Sequence, residues 1–467
     1  MIQYTAMQSK IFFYGGAGAV TGSNFLLDTG SSKILIDCGL RQGMDEASNA
    51  EPFDYNPADV SHLIVTHAHL DHIGRIPKLV KDGFRGVIIS TKATRALAEP
   101  LLLDALEILT RNAEHHGAPA LYEEQDVAAA MGLWRGIGYH EKVPLPDNIE
   151  LELLDAGHIL GSAMARFERG GKTLVFTGDL GGGNSPLLRS TEEVSPTYLV
   201  MESTYGDKTR PEDVKRFEHL ENAIEDAVTR GGTLLIPAFS TERTQDLLFD
   251  IRRLYLEHRV PEVPVYLDSP LAEKITHAYL AHPEYFADDI RKRVEGGEKI
   301  FSFPGLHFVE QVEDSRKLDN NPNSKIILAG SGMSSGGRVL VHERRYLPDQ
   351  NSTLLIVGYQ AAGTIGRRLI EGAKTLEFYK PARPNAGHSG GDKIPVRAAI
   401  KTLYGYSAHK DGEELLEFAN KAGDGVKEIF LVHGEPAASM FLAQRIRDYL
   451  GTKATVPEPG ESVTIDF

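Results

Sequence analysis

Six consecutive residues, His67-Ala68-His69-Leu70-Asp71-His72, carry three imidazoles and one carboxylate. These are donors that a zinc ion accepts. Side chains alternate along an extended chain, so His67 and His69 share one side. Asp71 and His72 come after a turn and can face a neighbouring point. One segment can thus offer ligands to two ions. The only cysteine, Cys38, excludes a multi-cysteine site, so any metal must rest on His, Asp and Glu. Two ions need further donors. His158 in Gly157-His158-Ile159-Leu160-Gly161-Ser162, Asp179 in Thr177-Gly178-Asp179 and His433 in Val432-His433-Gly434 each follow an apolar run beside glycine. Singly, each reads as readily as a structural histidine or a turn aspartate. Their joint occurrence points to a site.

These residues must be positioned by the ends of strands. Ile34-Leu35-Ile36-Asp37 and Leu63-Ile64-Val65-Thr66 read as buried strands ending in polar residues, within a Gly-rich N-terminal stretch spanning 9–37. Residues 92–135 have a helical pattern with a break at Pro100, and strands return at 149–155, 163–168 and 172–177. From about 210 to 395, helical stretches alternate with apolar strands such as Thr233-Leu234-Leu235-Ile236 and Leu354-Leu355-Ile356-Val357, the pattern of a parallel sheet. Pro381–Asp392 reads as a loop or boundary, and 396–467 returns to short β-α-β segments.

The length of 467 residues implies two or three domains, and 41% hydrophobic with 25% charged residues is ordinary for a soluble globular chain. No apolar run reaches membrane-spanning length, no export signal is read at the N-terminus, and the lone cysteine fits a reducing cytoplasm. The net charge of −15 argues against broad electrostatic binding of nucleic acid, but not against a local basic groove beside metal ions.

The motif set resembles the metallo-β-lactamase superfamily, whose pattern is an early Asp, His-x-His-x-Asp-His, a His and an Asp. Here these are Asp37, His67, His69, Asp71, His72, His158 and Asp179. Glu202-Ser203-Thr204-Tyr205-Gly206, Tyr406-Ser407-Ala408-His409 and Leu431-Val432-His433-Gly434 are similar to the three further motifs of its β-CASP branch, nucleases of RNA or DNA. Further likeness lies in Ile236-Pro237-Ala238-Phe239-Ser240 and in the segment Ser331–Arg338. The likeness is strongest to bacterial and archaeal ribonucleases akin to the eukaryotic pre-mRNA 3′-end cleavage endonuclease. It implies an αββα sandwich, 1–208 completed by 396–467, with an α/β β-CASP domain inserted at 209–395. The active site would lie in the cleft between the two domains.

The resemblance implies one zinc on His67, His69 and His158, a second on Asp71, His72 and His433, Asp179 bridging them, and Asp37 supporting the site from behind. Manganese suits the same donors. Two such ions can activate a shared water as hydroxide for attack on phosphorus. His409 would give the leaving oxygen its proton, oriented by Glu202. Ser331, Ser335, Gly336, Gly337, Arg338 and Ser407 are candidates to hold substrate phosphate. Single-stranded RNA is the expected substrate, and the family resemblance allows a homodimer. The alternatives are a small-molecule hydrolase of the lactamase or glyoxalase-II type, which would need neither Glu202 nor His409, a DNA-directed nuclease, and a scaffold that has lost catalysis. Every expected ligand position is filled, which speaks against the last.

Overall fold

The computed structural model describes residues 8–467 apart from 118, 210–214, 319, 321–322, 359, 362, 379–390 and 404. Most of the expected Pro381–Asp392 loop lies outside the described residues.

Two seven-stranded sheets pack face to face. In the first, the order is Ser462–Asp466, Gln8–Gly15, Asn24–Asp28, Lys33–Ile36, His62–Ile64, Val87–Thr91 and Trp134–Ile137. In the second it is Ala454–Thr455, Glu428–Val432, Tyr198–Glu202, Lys172–Phe176, Ala163–Arg169, Ile149–Asp155 and Val143–Leu145. Both sheets are buried on both faces, which explains why their strands read as continuous apolar runs. The two-residue period sorts the side chains. Ile34, Ile36, Ile64 and Ile89 meet Leu174, Phe176, Val200 and Phe430 between the sheets. The intervening Leu35, Leu63 and Ile88 face outward into a core that includes Ile76, Leu79, Leu97 and Leu101 of the flanking helices. Val175, Leu199 and Leu431 face the opposite way, against Leu415, Phe418 and Leu442. This is the αββα sandwich, helices outside and sheets within.

The inserted domain is built on a six-stranded sheet in the order Leu306–Phe308, Val265–Asp268, Lys325–Ala329, Thr233–Pro237, Thr353–Val357 and Ala399–Leu403, all parallel. Its last strand lies past the limit at 395 read from the sequence. Ala399–Leu403 pairs residue for residue with Thr353–Val357, so the insert's sheet holds the chain to Leu403.

One helix departs from expectation. Lys92–His116 runs unbroken through Pro100 and ends at Gly117 with φ of 66°. A proline removes one backbone bond, and the buried face of Leu97, Ala98, Leu101, Leu102 and Ala105 spans it on both sides. Among the described residues, no helix is long and apolar enough to cross a membrane.

Candidate metal centre

Most of the residues that the sequence singled out for the metal site stand just beyond the end of a strand. Asp37 follows Lys33–Ile36, His67 follows His62–Ile64, His158 follows Ile149–Asp155, Asp179 follows Lys172–Phe176, and His433 follows Glu428–Val432. The parallel strands of both sheets therefore deliver their C-terminal ends to one place. Two of these residues, Asp37 (φ 57°) and His433 (φ 50°), sit in left-handed backbone, where the chain turns abruptly out of its strand. His69 precedes a single helical turn, Leu70–Ile73, which carries Asp71 and His72 to the neighbouring point.

The donors fall into two sets. His67, His69, His158 and Asp179 form one, and Asp71, His72 and His433 the other, with all donor atoms of a set within 4.8 Å of each other. In the first, His69 Nδ1 lies 3.0 Å from His67 Nε2 and 3.2 Å from His158 Nε2. The carboxylate of Asp179 joins the sets. Its Oδ2 is 3.5 Å from His67 Nε2 and 3.6 Å from His158 Nε2, and its Oδ1 is 3.4 Å from His72 Nε2 and 3.5 Å from His433 Nε2. His433 Nε2 is also 3.5 Å from Asp71 Oδ2.

This arrangement suits divalent metal. His72 Nε2 and Asp179 Oδ1 are buried and make no hydrogen bond among the described residues, a costly state unless something binds between them. Burial, together with the neighbouring His72, holds His67 well below the ordinary imidazole range. Burial and the neighbouring His409 do the same to His158. Burial pushes His69 down to about 4. Neutral imidazoles are what a metal requires, whereas at His72 the carboxylates of Asp179 and Asp37 outweigh burial and hold the ring well above the ordinary imidazole range. Burial works against ionised Asp179, yet the surrounding His433, His72 and His67 hold it well below the usual carboxylate range.

The opposite ring nitrogens of His72, His433 and His67 are tied down. His72 Nδ1 bonds Asp37 Oδ2 at 2.7 Å, and Asp37 in turn accepts from the Thr66 amide and hydroxyl, both at 2.8 Å. Ser23 Oγ bonds His433 Nδ1 at 2.8 Å, and Thr66 Oγ1 lies 3.2 Å from His67 Nδ1. Such partners fix ring orientation and tautomer. The sequence reading missed Ser23 and Thr66. Thr66, immediately before His67, carried a positional signal. Ser23 carried none.

Beside the two sets stands a second pair. His409 Nδ1 lies 3.1 and 3.2 Å from the two oxygens of Glu202, and His409 Nε2 is 4.0 Å from Asp179 Oδ2. Glu202 is wholly buried and also accepts from the amides of Leu180 and Thr204. Burial opposes a charged imidazole, but Glu202 outweighs it and lifts His409 to about 9.

The candidates for phosphate are distributed differently. Ser407 lies two residues before His409. Ser331, Ser335, Gly336 and Gly337 follow the strand Lys325–Ala329 of the inserted sheet. Ser335 N donates to Ser331 Oγ at 3.0 Å, and Ser335 and Gly337 are exposed. The Arg338 guanidinium is engaged by Asp268 and by the carbonyls of Val309 and Glu310, so it also clamps the loop. Asp268 also takes His342 Nε2 at 2.7 Å, and His342 is fully buried.

Three family profiles match the chain: "Metallo-beta-lactamase superfamily" over 17–214, "Beta-Casp domain" over 244–369, and "Zn-dependent metallo-hydrolase RNA specificity domain" over 393–457. The chain is 36% identical to "Ribonuclease TTHA0252" of Thermus thermophilus, over 98% of this chain and 100% of the relative. It is 34% identical to "Transcription termination factor FttA" of Methanosarcina mazei, over 94% of this chain and 68% of the relative. A solved structure, "Crystal Structure of a Protein of Unknown Function from Enterococcus faecalis V583", shares the fold with a TM-score of 0.55 at 12% identity, over 98% of this chain and 100% of that one.

Proposed function

We infer the function from one premise: the chain belongs to the β-CASP ribonuclease branch of the metallo-β-lactamase superfamily. It is accordingly a metal-dependent nuclease. We propose that it hydrolyses phosphodiester bonds of single-stranded RNA in the cytoplasm, using two zinc ions and a histidine general acid. The observation that carries this reading is the placement of Asp179. Its two oxygens face two separate donor sets, and the Glu202–His409 pair adjoins them.

His67, His69 and His158 would hold one ion, Asp71, His72 and His433 the other, and Asp179 both. Bound there, the ions would lower the pKa of a shared water toward neutrality and neutralise charge on the phosphate oxygens. The protein's own part is proton transfer. With Nδ1 donating to Glu202, His409 keeps a second proton on Nε2, the nitrogen on the Asp179 side of the ring. That proton passes to the leaving ribose oxygen as its bond to phosphorus breaks. Glu202, fixed by two backbone amides, prevents the ring from turning. Ser331, Ser335, Ser407 and the glycine-rich turn at 336–337 are the proposed phosphate contacts.

The test uses 5′- and 3′-labelled single-stranded RNA, the matching DNA, a lactam and a thioester. RNA should be cut by the metal-loaded wild type, and His69→Ala and His409→Ala should lose about 100-fold or more, the usual worth of a positioned acid. Turnover of thioester or lactam with RNA left intact would sink the proposal. Preference for DNA would overturn the substrate assignment.

A further inference from the structure

Three residues before His409, Tyr406 is buried where the inserted domain hands the chain back. Its hydroxyl donates to Asp250 Oδ2 at 2.8 Å. Its carbonyl accepts from Arg243 Nε at 2.9 Å. The Arg216 guanidinium lies 4.7 Å above its ring and pairs with the same Asp250 oxygen at 3.2 Å. All three partners belong to helices of the insert, Arg216–Thr229 and Arg243–Leu256. Just beyond Tyr406, the other domain takes over. Gly182 N donates to the Ala408 carbonyl at 2.9 Å, and Lys410 N to the Leu180 carbonyl at 2.8 Å. The backbone that carries His409 is thus gripped from both sides within five residues.

The grip on the insert side is built at a cost. Glu242, buried and directly before Arg243, has φ 64° and ψ −64°, and Arg243 N donates to the Thr241 carbonyl at 2.8 Å. This three-residue turn is rare and strained for a residue with a side chain. Strain of this kind persists only where the surroundings impose it, and it gathers at functional sites. Here it launches the helix so that Arg243 reaches Tyr406 and, at 3.0 Å, the Val357 carbonyl. Gly358 makes room, since a Cβ there would lie 2.4 Å from Arg243 Nη1.

We propose that Tyr406 is a positioning residue for the reaction: it transmits the seating of the inserted domain to His409, so that the acid is aligned only when the domains are docked. This rests on the general-acid reading above. Tyr406 exchanges no proton. The proton leaves His409 Nε2 for the leaving oxygen as the P–O bond breaks, and Tyr406 fixes where that nitrogen stands.

The experiment compares two substrates on the full-length, metal-loaded protein. RNA has a poor leaving group that needs a proton. Bis(p-nitrophenyl) phosphate releases nitrophenolate, which needs none. Tyr406→Phe should lower kcat on RNA by about 10- to 100-fold, the scale of a misplaced catalytic group. KM for RNA, metal content and turnover of the nitrophenyl ester should stay at wild-type levels. Loss on both substrates alike, or on neither, would overturn the proposal. If Tyr406→Phe does not fold, Asp250→Ala breaks the same bond from the other side and is read by the same criteria. His409→Ala, run in parallel, separates the two readings. If it is not selective for RNA, the general-acid assignment fails and the proposal with it. If it is selective and Tyr406→Phe is not, only the proposal fails.

Discussion

Two glycines should separate the two donor sets. A Cβ built on Gly39 would lie 1.6 Å from the Asp71 carbonyl oxygen and 2.8 Å from His72 N. One built on Gly181 would lie 1.7 Å from the Gly157 carbonyl oxygen and 2.8 Å from His158 N. Ordinary contact begins near 3.4 Å, so either alanine forces its neighbour away by nearly 2 Å. The neighbouring segment cannot yield cheaply. Ser23 N, Cys38 N and Leu40 N donate to the carbonyls of Asp71, His72 and Leu70, and Gly181 N donates to Ala156. Metal–ligand distances tolerate only about 0.2 Å. A displacement several times larger should empty the set it strikes. Gly39→Ala should selectively weaken the Asp71, His72 and His433 set, and Gly181→Ala the His67, His69 and His158 set. The assay is metal content per chain by elemental analysis after dialysis against a weak chelator, with circular dichroism to confirm folding. Each variant should retain fewer than two ions and lose RNA cleavage. Two tightly held ions with full activity in both would refute the reasoning.

Other expectations can be checked separately. Asp37→Ala frees His72 Nδ1 and should weaken metal binding by about 10- to 100-fold, read by competition with a chromophoric chelator. Cys38 is fully buried, and burial pushes its thiol up to about 12, so a thiol reagent should find no reactive sulfur until denaturant is added, and then one. Glu343 is buried beside Ser334, and burial lifts its carboxyl to about 8 from an ordinary 4.5. A raised pKa favours the protonated folded state, so this contribution is present below pH 4.5 and is lost as pH rises through about 8. Denaturant midpoints should show a loss on the order of 4 kcal/mol between about pH 5 and pH 9, abolished in Glu343→Gln.

The residues that the structure gathers at the strand ends were legible as candidates because the chemistry narrows the choice of residue, and their division into two sets came from the family resemblance. Few side chains bind a divalent ion, and each donor follows an apolar strand whose end must lie where other strand ends lie. The buried strands and the parallel character of the insert were legible for a related reason, since burial on both faces leaves continuous apolar runs. Ser23 was not, because a hydroxyl is common and serves a ring nitrogen without any fixed spacing, and Thr66 was marked only by its place beside His67. The proline rule misread Pro100, where long-range packing outweighs one lost backbone bond. The partner of Arg338 was not legible, because Asp268 lies 70 residues away, and partners so distant leave no trace in local pattern. The pairing of Ala399–Leu403 with the insert's sheet was not legible, since its partner lies 46 residues earlier at Thr353.

The insert leaves the sandwich after Glu202 and returns just before His409, so the proposed catalytic pair closes a loop of about two hundred residues. Were that loop a flexible coil, bringing its ends together would cost about 5 kcal/mol of chain entropy. A folded insert has already fixed the distance between its own ends, so Glu202 and His409 meet without that cost. The stability of the insert is therefore linked to the proximity of the pair. A destabilising change deep in the inserted core, touching neither residue, should loosen their contact in proportion to how often the loop melts.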